Sequence, residues 1–423
     1  MPAAPGSELD ATPRLPWNPL ARSNPLAPLY LSVFLFTAAE SALHVLVPPF
    51  LSSELRLGPA AIGAVVAVFG LASLLTRIPA GALYSVARSR RLVLLGGSVS
   101  ALAFGLVPAI HHVAPFAALM ALDGFGLALV TTTQLALLAA IRPSSMPLAS
   151  ALGWFAGFQA LGHVVAGTVG GFTADRAGFD TSFLLFAGLT AVATLLIVRS
   201  IGRAVRAPSE ELAAARPPAG RLTWSQIWSL PMAVWTGALV LFTVNALLST
   251  ATTFYPVLAL GAGITLTQIG VLASCRSWAS SVVRLGSGPV FSRVRPESLT
   301  LPLIGLGAAS VALLPSVASS FALTVPLFIA AGLTRGLLRV TGSAEALEGV
   351  PQDERSHGLT SAFLYVGLDL GRIAGPLVAG GVAEAFGLEA MFRIMPIVLL
   401  ALYLPLALAG RRAAARRAPS PSG

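Results

Sequence analysis

Lysine is absent from this 423-residue chain, and all 27 basic side chains are arginine. A phosphate-binding loop ending in Gly-Lys-Ser/Thr uses its lysine to reach the phosphates, so nucleotide hydrolysis by that route is excluded. Charge of either sign is scarce, at 10% of residues, against about 25% in soluble proteins. The single cysteine, Cys275, permits neither a disulfide framework nor a cysteine metal site. Five scattered histidines supply no metal-ligand spacing and no nucleophile–base pair, so no enzyme activity, metal or cofactor is expected. The N-terminal tail holds six prolines with Glu8 and Asp10, and lacks the short apolar core and cleavage site of a signal peptide.

What remains is apolar. Hydrophobic residues make up 55% of the chain and mean hydropathy is +0.81, the composition of a protein that lives in a bilayer. Apolar runs of about 20 residues, the length that crosses a hydrocarbon core, recur about twelve times. The first six cover 27–51, 59–84, 92–110, 115–141, 147–174 and 180–201; the second six cover 231–258, 267–291, 299–318, 320–346, 357–385 and 388–409. The polar stretch between the sets carries arginines, three prolines and the adjacent Glu210 and Glu211, and ends on Trp224 and Trp228. Two tryptophans four apart suit a short helix lying in the membrane interface. The expected division is a disordered cytoplasmic tail at 1–26, a six-helix bundle at 27–201, a cytoplasmic linker with an interfacial helix at 202–230, a second six-helix bundle at 231–410 and a basic cytoplasmic tail at 411–423.

The arginines give the orientation. With both termini in the cytoplasm, eighteen arginines fall on inside segments and three, Arg56, Arg176 and Arg393, on outside ones. That is a strong positive-inside bias. The net charge of +10 therefore reports topology and not nucleic-acid binding. The other six arginines, Arg77, Arg276, Arg284, Arg335, Arg339 and Arg372, fall within spans.

The halves repeat. Arg77, Gly81 and Ser85 at the end of the second span recur as Arg284, Gly288 and Ser292 at the end of the eighth, at an offset of 207. Gly162, Gly171 and Gly178 recur as Gly371, Gly380 and Gly387, at an offset of 209. Two structurally equivalent halves are the simplest source of such matches. The stretch from Gly153 to Gly171, GWFAGFQALGHVVAGTVGG, is the densest in glycine. Each glycine costs a soluble helix about 1 kcal/mol relative to alanine, whereas in a membrane small residues let helix backbones pack closely. Gly153, Gly162, Gly167, Gly170 and Gly171, with Gly371, Gly375 and Pro376 of the other half, are accordingly expected at close helix contacts that shift. Arg77, Gly81, Arg284 and Gly288 are expected at a cytoplasmic gate.

These features resemble the major facilitator superfamily of secondary transporters, over about 26–410. GALYSVARSRR, Gly81 to Arg91, is similar to that family's loop after the second helix, with Ser85 where the family has aspartate and Val86 where it has a basic residue. Gly153, Gly162, Ala166, Gly167, Gly170 and Gly171 resemble the fifth-helix pattern of its antiporter branch, with Ala166-Gly167 in place of the central Gly-Pro. In the fourth helix the family's basic residue falls on Met120, ahead of Asp123-Gly124-Phe125-Gly126. The resemblance implies an all-α membrane protein of 12 transmembrane helices in two pseudo-symmetric six-helix bundles, with cytoplasmic termini. The first, fourth, seventh and tenth helices would line a central cavity, and the third, sixth, ninth and twelfth would face outward. The implied function is secondary active transport of a small molecule by proton-coupled efflux, with proton-coupled uptake of an organic anion as the alternative. A non-transporting sensor or assembly protein of the same fold is a further one. The partners implied are a small-molecule substrate, protons and the lipid bilayer, for a monomer in a bacterial inner membrane.

Charge in a membrane interior costs about 3 kcal/mol or more, so the few ionisable residues there are candidates for function. Glu40 and His44 lie four apart in the first span, where a carboxylate removed from water and a neighbouring imidazole could exchange a proton. Asp123 in the fourth span is the second proton-coupling candidate. Gln159 and His163 share one face of the fifth span and suit packing with a hydrogen bond to a facing helix. Gln134, Asn245, Ser249 and Thr253 offer neutral hydrogen-bonding groups to a cavity, and Arg335, Arg339, Asp369 and Arg372 offer charge. Paired guanidinium groups would hold an anionic substrate well. The structural alternative pairs Arg339 with Glu345 and Arg372 with Asp369, leaving nothing for a ligand.

Overall fold

A backbone in hydrocarbon finds no water to bond, so each segment must satisfy its own N–H and C=O groups, and helices result. The computed structural model describes residues 26–141, 146, 148–204, 230–285, 296–348, 350 and 354–417. The N-terminal tail, most of the linker with Trp224 and Trp228, and Gly288 lie outside these described residues. The helices run α1 Ala27–Ser53, α2 Pro59–Leu83, α3 Val86–Leu106 and α4 Val113–Ile141. The continuous Leu148–Ala204 follows, divided by a non-helical Gly178 into α5 (148–177) and α6 (179–204). Then come α7 Met232–Gly261, α8 Leu266–Leu285, α9 Pro296–Ala312, α10 Phe321–Glu348, α11 Glu354–Phe386 and α12 Leu388–Arg417. Among the described residues there is no strand, and nine helical stretches are long and apolar enough to cross a membrane, with the bent Ser150–Arg199 counted once. Ser298–Ala312 is a shorter apolar helix.

Local chemistry explains two departures from the apolar runs. Helix α3 begins at Val86, six residues before the apolar run, because Ser85 caps it: its hydroxyl accepts from the N–H of Arg88 at 3.2 Å. The serine standing where the resembled family has aspartate thus has a local role. Gly178, at φ 81°, turns α5 into α6, and Gly387, at φ 85°, turns α11 into α12. Both sit in a region that side-chain-bearing residues rarely enter, so the same turn is made in each half by the same residue type.

Large apolar side chains face outward on α3 (Leu95, Leu102), α6 (Leu184, Leu195), α9 (Leu306) and α12 (Ile397, Leu402). Such a belt on a folded chain is the surface lipid covers.

The glycines divide into two kinds of contact. A Cβ on Gly162 would strike the main chain of Phe34 and the side chain of Thr37, both on α1. One on Gly371 would strike Phe242 and Asn245 on α7. Gly170 packs on Ala42 of α1, and Gly375 on Ala246 and Ser249 of α7. All four contacts lie inside one half. The second kind joins the halves: Gly167 faces the main chain of Gly270, and Gly171 that of Leu266, where α5 meets α8. The related pairs, Gly63 with Pro376 and Gly380 with Pro59, lie where α2 meets α11. Gly162 is therefore not at the interface between halves, and Gly81 and Gly153 make no close contact at all. A Cβ on either, or on Gly157, meets nothing within 4 Å. The closest contacts between the halves gather at one end of the bundle; toward the other, α5 and α8 part while α2 and α11 remain in touch through Gly70 and Ile373.

The touching end also carries two carboxylates that cross between halves. Asp175 on α5 accepts from the N–H groups of Leu266 (3.1 Å) and Thr267 (2.6 Å), the first turn of α8. Glu384 on α11 accepts from the N–H of Ala60, the first turn of α2, at 3.3 Å. Helix starts leave donors unpaired and carry partial positive charge, so a carboxylate placed there is favourable. Nearby, the Ser274 hydroxyl accepts from the N–H and hydroxyl of Thr168, at 3.0 and 2.9 Å.

Leucine at Gly167 is expected to hold the halves apart, measured as a lengthened spin-label distance between α5 and α8, whereas leucine at Gly153 leaves that distance unchanged. Asp175→Ala should favour separation by about 1 kcal/mol, the usual worth of a helix cap. An unchanged distance distribution in both Gly167→Leu and Asp175→Ala would mean that these contacts do not hold the closed end.

Candidate functional site

A cavity of about 320 Å³ lies between the halves, within the range of roughly 300–1,000 Å³ of small-molecule sites. Its wall comes from α1, α2, α4 and α5 on one side and α7, α8, α10 and α11 on the other. None of α3, α6, α9 and α12 contributes, which matches their lipid-facing surfaces.

On the first side the carboxyl of Glu40 meets that of Asp123 on α4, beside Ser100 of α3. Glu40 is 3% exposed and Asp123 fully buried. No donor bonds any of the four carboxyl oxygens, and the Ser100 hydroxyl turns to the main-chain carbonyl of Asp123, at 3.5 Å. Glu40 lines the cavity and Asp123 sits behind it. The sequence pairs Glu40 with His44 instead, and the structure corrects this. Both residues lie on one side of α1, but His44 sets its ring edge against Phe69, centroids 4.7 Å apart, and no hydrogen bond joins it to Glu40. His163 bonds the hydroxyl of Ser41 on α1, so it does meet a facing helix, and with Gln159 it lines the cavity.

On the second side Asn245, Ser249, Thr253, Arg335 and Arg372 all line the cavity. Asn245 donates to the carbonyl of Leu368 at 3.0 Å, and Ser249 to that of Gly371 at 3.2 Å, so both also tie α7 to α11. Three expected cavity residues lie elsewhere. Gln134 is buried in the first half, away from the cavity, whose α4 polar group is Thr131. Arg339, one turn beyond Arg335, is outside the wall, and the Glu345 side chain proposed for it lies outside the described residues. Asp369 does not pair with Arg372 in an ion pair: its Oδ2 lies 3.6 Å from Nε of Arg77 on α2, across the two halves. Arg77 is thus held by a carboxylate of the opposite half, while Arg284 at the equivalent position donates Nε–H to the carbonyl of Ser280 at 3.0 Å.

Arg276 on α8, which the sequence counts among the central charges without assigning it to the cavity, lines the cavity, as do Ser41 and Ser277, which sequence reasoning passes over. Arg276 is visible as an arginine within a span, but nothing in its neighbours marks which face it occupies. Asp175 and Glu384 are also missed, although they are 209 apart, the same offset as the glycines.

A sequence profile described as "Major Facilitator Superfamily" matches residues 29–357 and 249–423. The chain belongs to the Major Facilitator Superfamily. The nucleoside transporter NupG shares its fold at TM-score 0.70 and 16% identity, over 92% of this chain and 98% of that one. A point mutant of NupG aligns at TM-score 0.72 and 14% identity, over 92% and 99%. A bacterial homolog of the human lysosomal transporter Spinster, in an inward-facing and occupied conformation, aligns at TM-score 0.70 and 15% identity, over 94% and 98%. At these identities the likeness shows the fold. No curated protein matches the sequence. The chain is an integral, multi-pass membrane transporter and not an enzyme.

The Arg77–Asp369 contact should show as coupling between the halves. The two side chains are 35% and 11% exposed, so screening limits the pair to about 1 kcal/mol or less. A thermal-unfolding double-mutant cycle of Arg77→Gln and Asp369→Asn is expected to give that coupling, and a cycle of Arg372→Gln with Asp369→Asn a smaller one. The reverse order would reassign the carboxylate to Arg372.

Proposed function

We propose that this chain is a proton-coupled transporter that alternates access to the cavity between its halves, with Glu40 and Asp123 as the proton site. The observation that carries the reading is the buried carboxyl pair: four oxygens without a donor, one member in the cavity wall and the other behind it. Two carboxyl groups in contact, with no basic partner, are compatible when they share a proton and repel when both are ionised. Emptying or filling that site changes the charge of the cavity wall, which is what coupling requires.

In this reading twelve helices cross the membrane as two six-helix bundles, 27–201 and 231–410. The arginine bias puts both termini in the cytoplasm. The touching end at Gly171 and Leu266 then faces outward, and the cavity opens to the cytoplasm. The protein works as a monomer in a bacterial inner membrane.

Direction follows from charge. The glycine pattern of α5 favours efflux by antiport, but of its members Gly153 touches nothing and Gly162 and Gly170 pack within one half. The cavity wall favours the other reading. Arg77, which Asp369 engages, and Arg276, Arg335 and Arg372 line it against the single carboxylate of Glu40. A proton on the Glu40–Asp123 pair makes that wall more hospitable to an anion, so the two bind together and travel together. Proton-coupled uptake of a small organic anion is therefore the reading the geometry favours.

The test uses protein in proteoliposomes with an imposed pH gradient, an interior alkaline relative to the bath, and metabolite pools extracted from the expressing cells as substrate source. Wild type should concentrate at least one anion inside. Glu40→Gln and Asp123→Asn should abolish concentration while leaving downhill exchange. Undiminished accumulation in both variants would remove the pair from coupling, and accumulation only when the gradient is reversed would establish antiport.

A further inference from the structure

The two sides of the cavity differ in how their charged groups are satisfied. On the second side, Nε and Nη1 of Arg276 and Nε of Arg335 are buried without a hydrogen-bond partner. Both side chains line the cavity, and among the described residues neither forms an ion pair with a carboxylate. They are held near one another by helix packing. A Cβ at Gly332 of α10 would strike the main-chain carbonyl of Arg276 on α8, so the two backbones touch just before Arg335. Gly336, one turn further, makes the same contact with Ser280. The glycines therefore fix α8 against α10 and set the two guanidinium groups on one wall, each repelling the other.

Left as they stand, these groups are unfavourable. A buried donor without a partner costs about 1–3 kcal/mol, and more when charged. Arg77, by comparison, has the Asp369 carboxylate. The polar groups that share the wall, Ser277 on α8, Thr252 and Thr253 on α7 and His163 on α5, whose ring already bonds Ser41, offer no negative charge to oppose two cations. Planar guanidinium forks bind carboxylate or phosphate oxygens with two parallel bonds, and one anionic group between two forks satisfies both. Apolar wall lies beside them at Leu248 and Phe328.

We propose that Arg276 and Arg335 form the anion-binding subsite of this cavity, and that the transported molecule carries a carboxylate or phosphate group there with an apolar body against Leu248 and Phe328. The proposal rests on the transport reading and names its substrate class. Its experiment reads binding and not coupling, so the two fail separately.

Purified full-length protein in lipid nanodiscs is titrated with benzoate, phenyl phosphate, benzamide and benzylamine, which share a ring and differ in charge, while thermal unfolding is followed. Benzoate or phenyl phosphate should raise the unfolding temperature saturably at concentrations up to about 10 mM, the range of weak small-ligand affinity, and the neutral and cationic probes should not. Arg276→Gln and Arg335→Gln should each weaken the effect about tenfold, or ~1.4 kcal/mol. Arg276→Lys, which keeps the charge but not the fork, should fall between. Arg176→Gln, at the opposite end of α5 with its guanidinium over the Phe172 ring, controls for loss of any arginine and should respond as wild type does. Glu40→Gln, which removes the wall carboxylate, should bind the anions at least as tightly as wild type, even where it loses concentrative transport. A response to benzylamine in place of the anions overturns the proposal. So does an anion response that survives in both glutamine variants, or the absence of any response to either anion in wild type. Unliganded unfolding temperatures of the variants show whether they fold. If both glutamine variants fail to fold, the Arg276→Lys protein decides: an anion affinity equal to wild type overturns the fork geometry, and a reduced one supports it.

Discussion

Everything in this molecule depends on two places where main chain lies directly on main chain. At Gly167 and Gly270, and again at Gly63 and Pro376, no side chain separates one half from the other. In lipid there is no hydrophobic gain in bringing helices together, so close packing of backbones and the hydrogen bonds it permits supply the attraction. Helices α5 and α8 approach most nearly at Gly167 and Gly171 and part toward the other end, where Gly153 and Gly157 meet nothing, whereas α2 and α11 stay in touch through Gly70 and Ile373 as far as Arg77 and Asp369. The cavity is the gap that results. Its charged residues lie where they do because these crossings fix the level at which the helices separate.

Much of this is readable in the sequence, and the physical reason is periodicity. Apolar runs long enough to cross a bilayer locate the helices, the arginine bias suggests their orientation, and glycines at a constant offset mark two equivalent halves. The alignment of Gly171 with Gly380 has a structural counterpart in their contacts with Leu266 and Pro59, on equivalent helices. What a sequence cannot carry is which helix faces which. Glu40 and His44 are four apart and share a side of α1, yet the carboxyl turns back toward α4 while the imidazole meets Phe69. Asp369 and Arg372 are three apart, yet the ion pair runs to Arg77, nearly three hundred positions away. In both cases local spacing names the obvious partner and tertiary packing supplies another. Gln134 and Arg339 fail for a related reason: a helix several turns long passes in and out of the cavity wall, and the residue one turn away is already outside it.

The distribution of charge between the halves has a consequence for the chemistry. The first half brings two acids together with no donor on their carboxyl oxygens, and the second brings three arginines, Arg276, Arg335 and Arg372, to the wall without a wall carboxylate of its own. Had they been placed face to face they would have neutralised each other and closed the cavity with a permanent ion pair. Kept on separate helices, each group remains available to something that enters from solution. Of the neutral groups in the wall, Ser249 and Asn245 are engaged in joining α7 to α11, and they and Thr253 add no charge of their own.

Asp175 and Glu384 stand on opposite sides of the axis that relates the halves, each reaching from the fifth helix of its own half to the start of the second helix of the other. A single tether would act as a pivot, about which the bundles could swing apart on the untethered side. Two tethers straddling the axis leave only the line that joins them as a hinge, so the bundles can rock about that line but cannot part at this end without breaking both. Separation at this end should therefore begin only after a threshold is passed and then proceed in one step, which keeps a partly parted bundle from becoming a leak for protons and small ions.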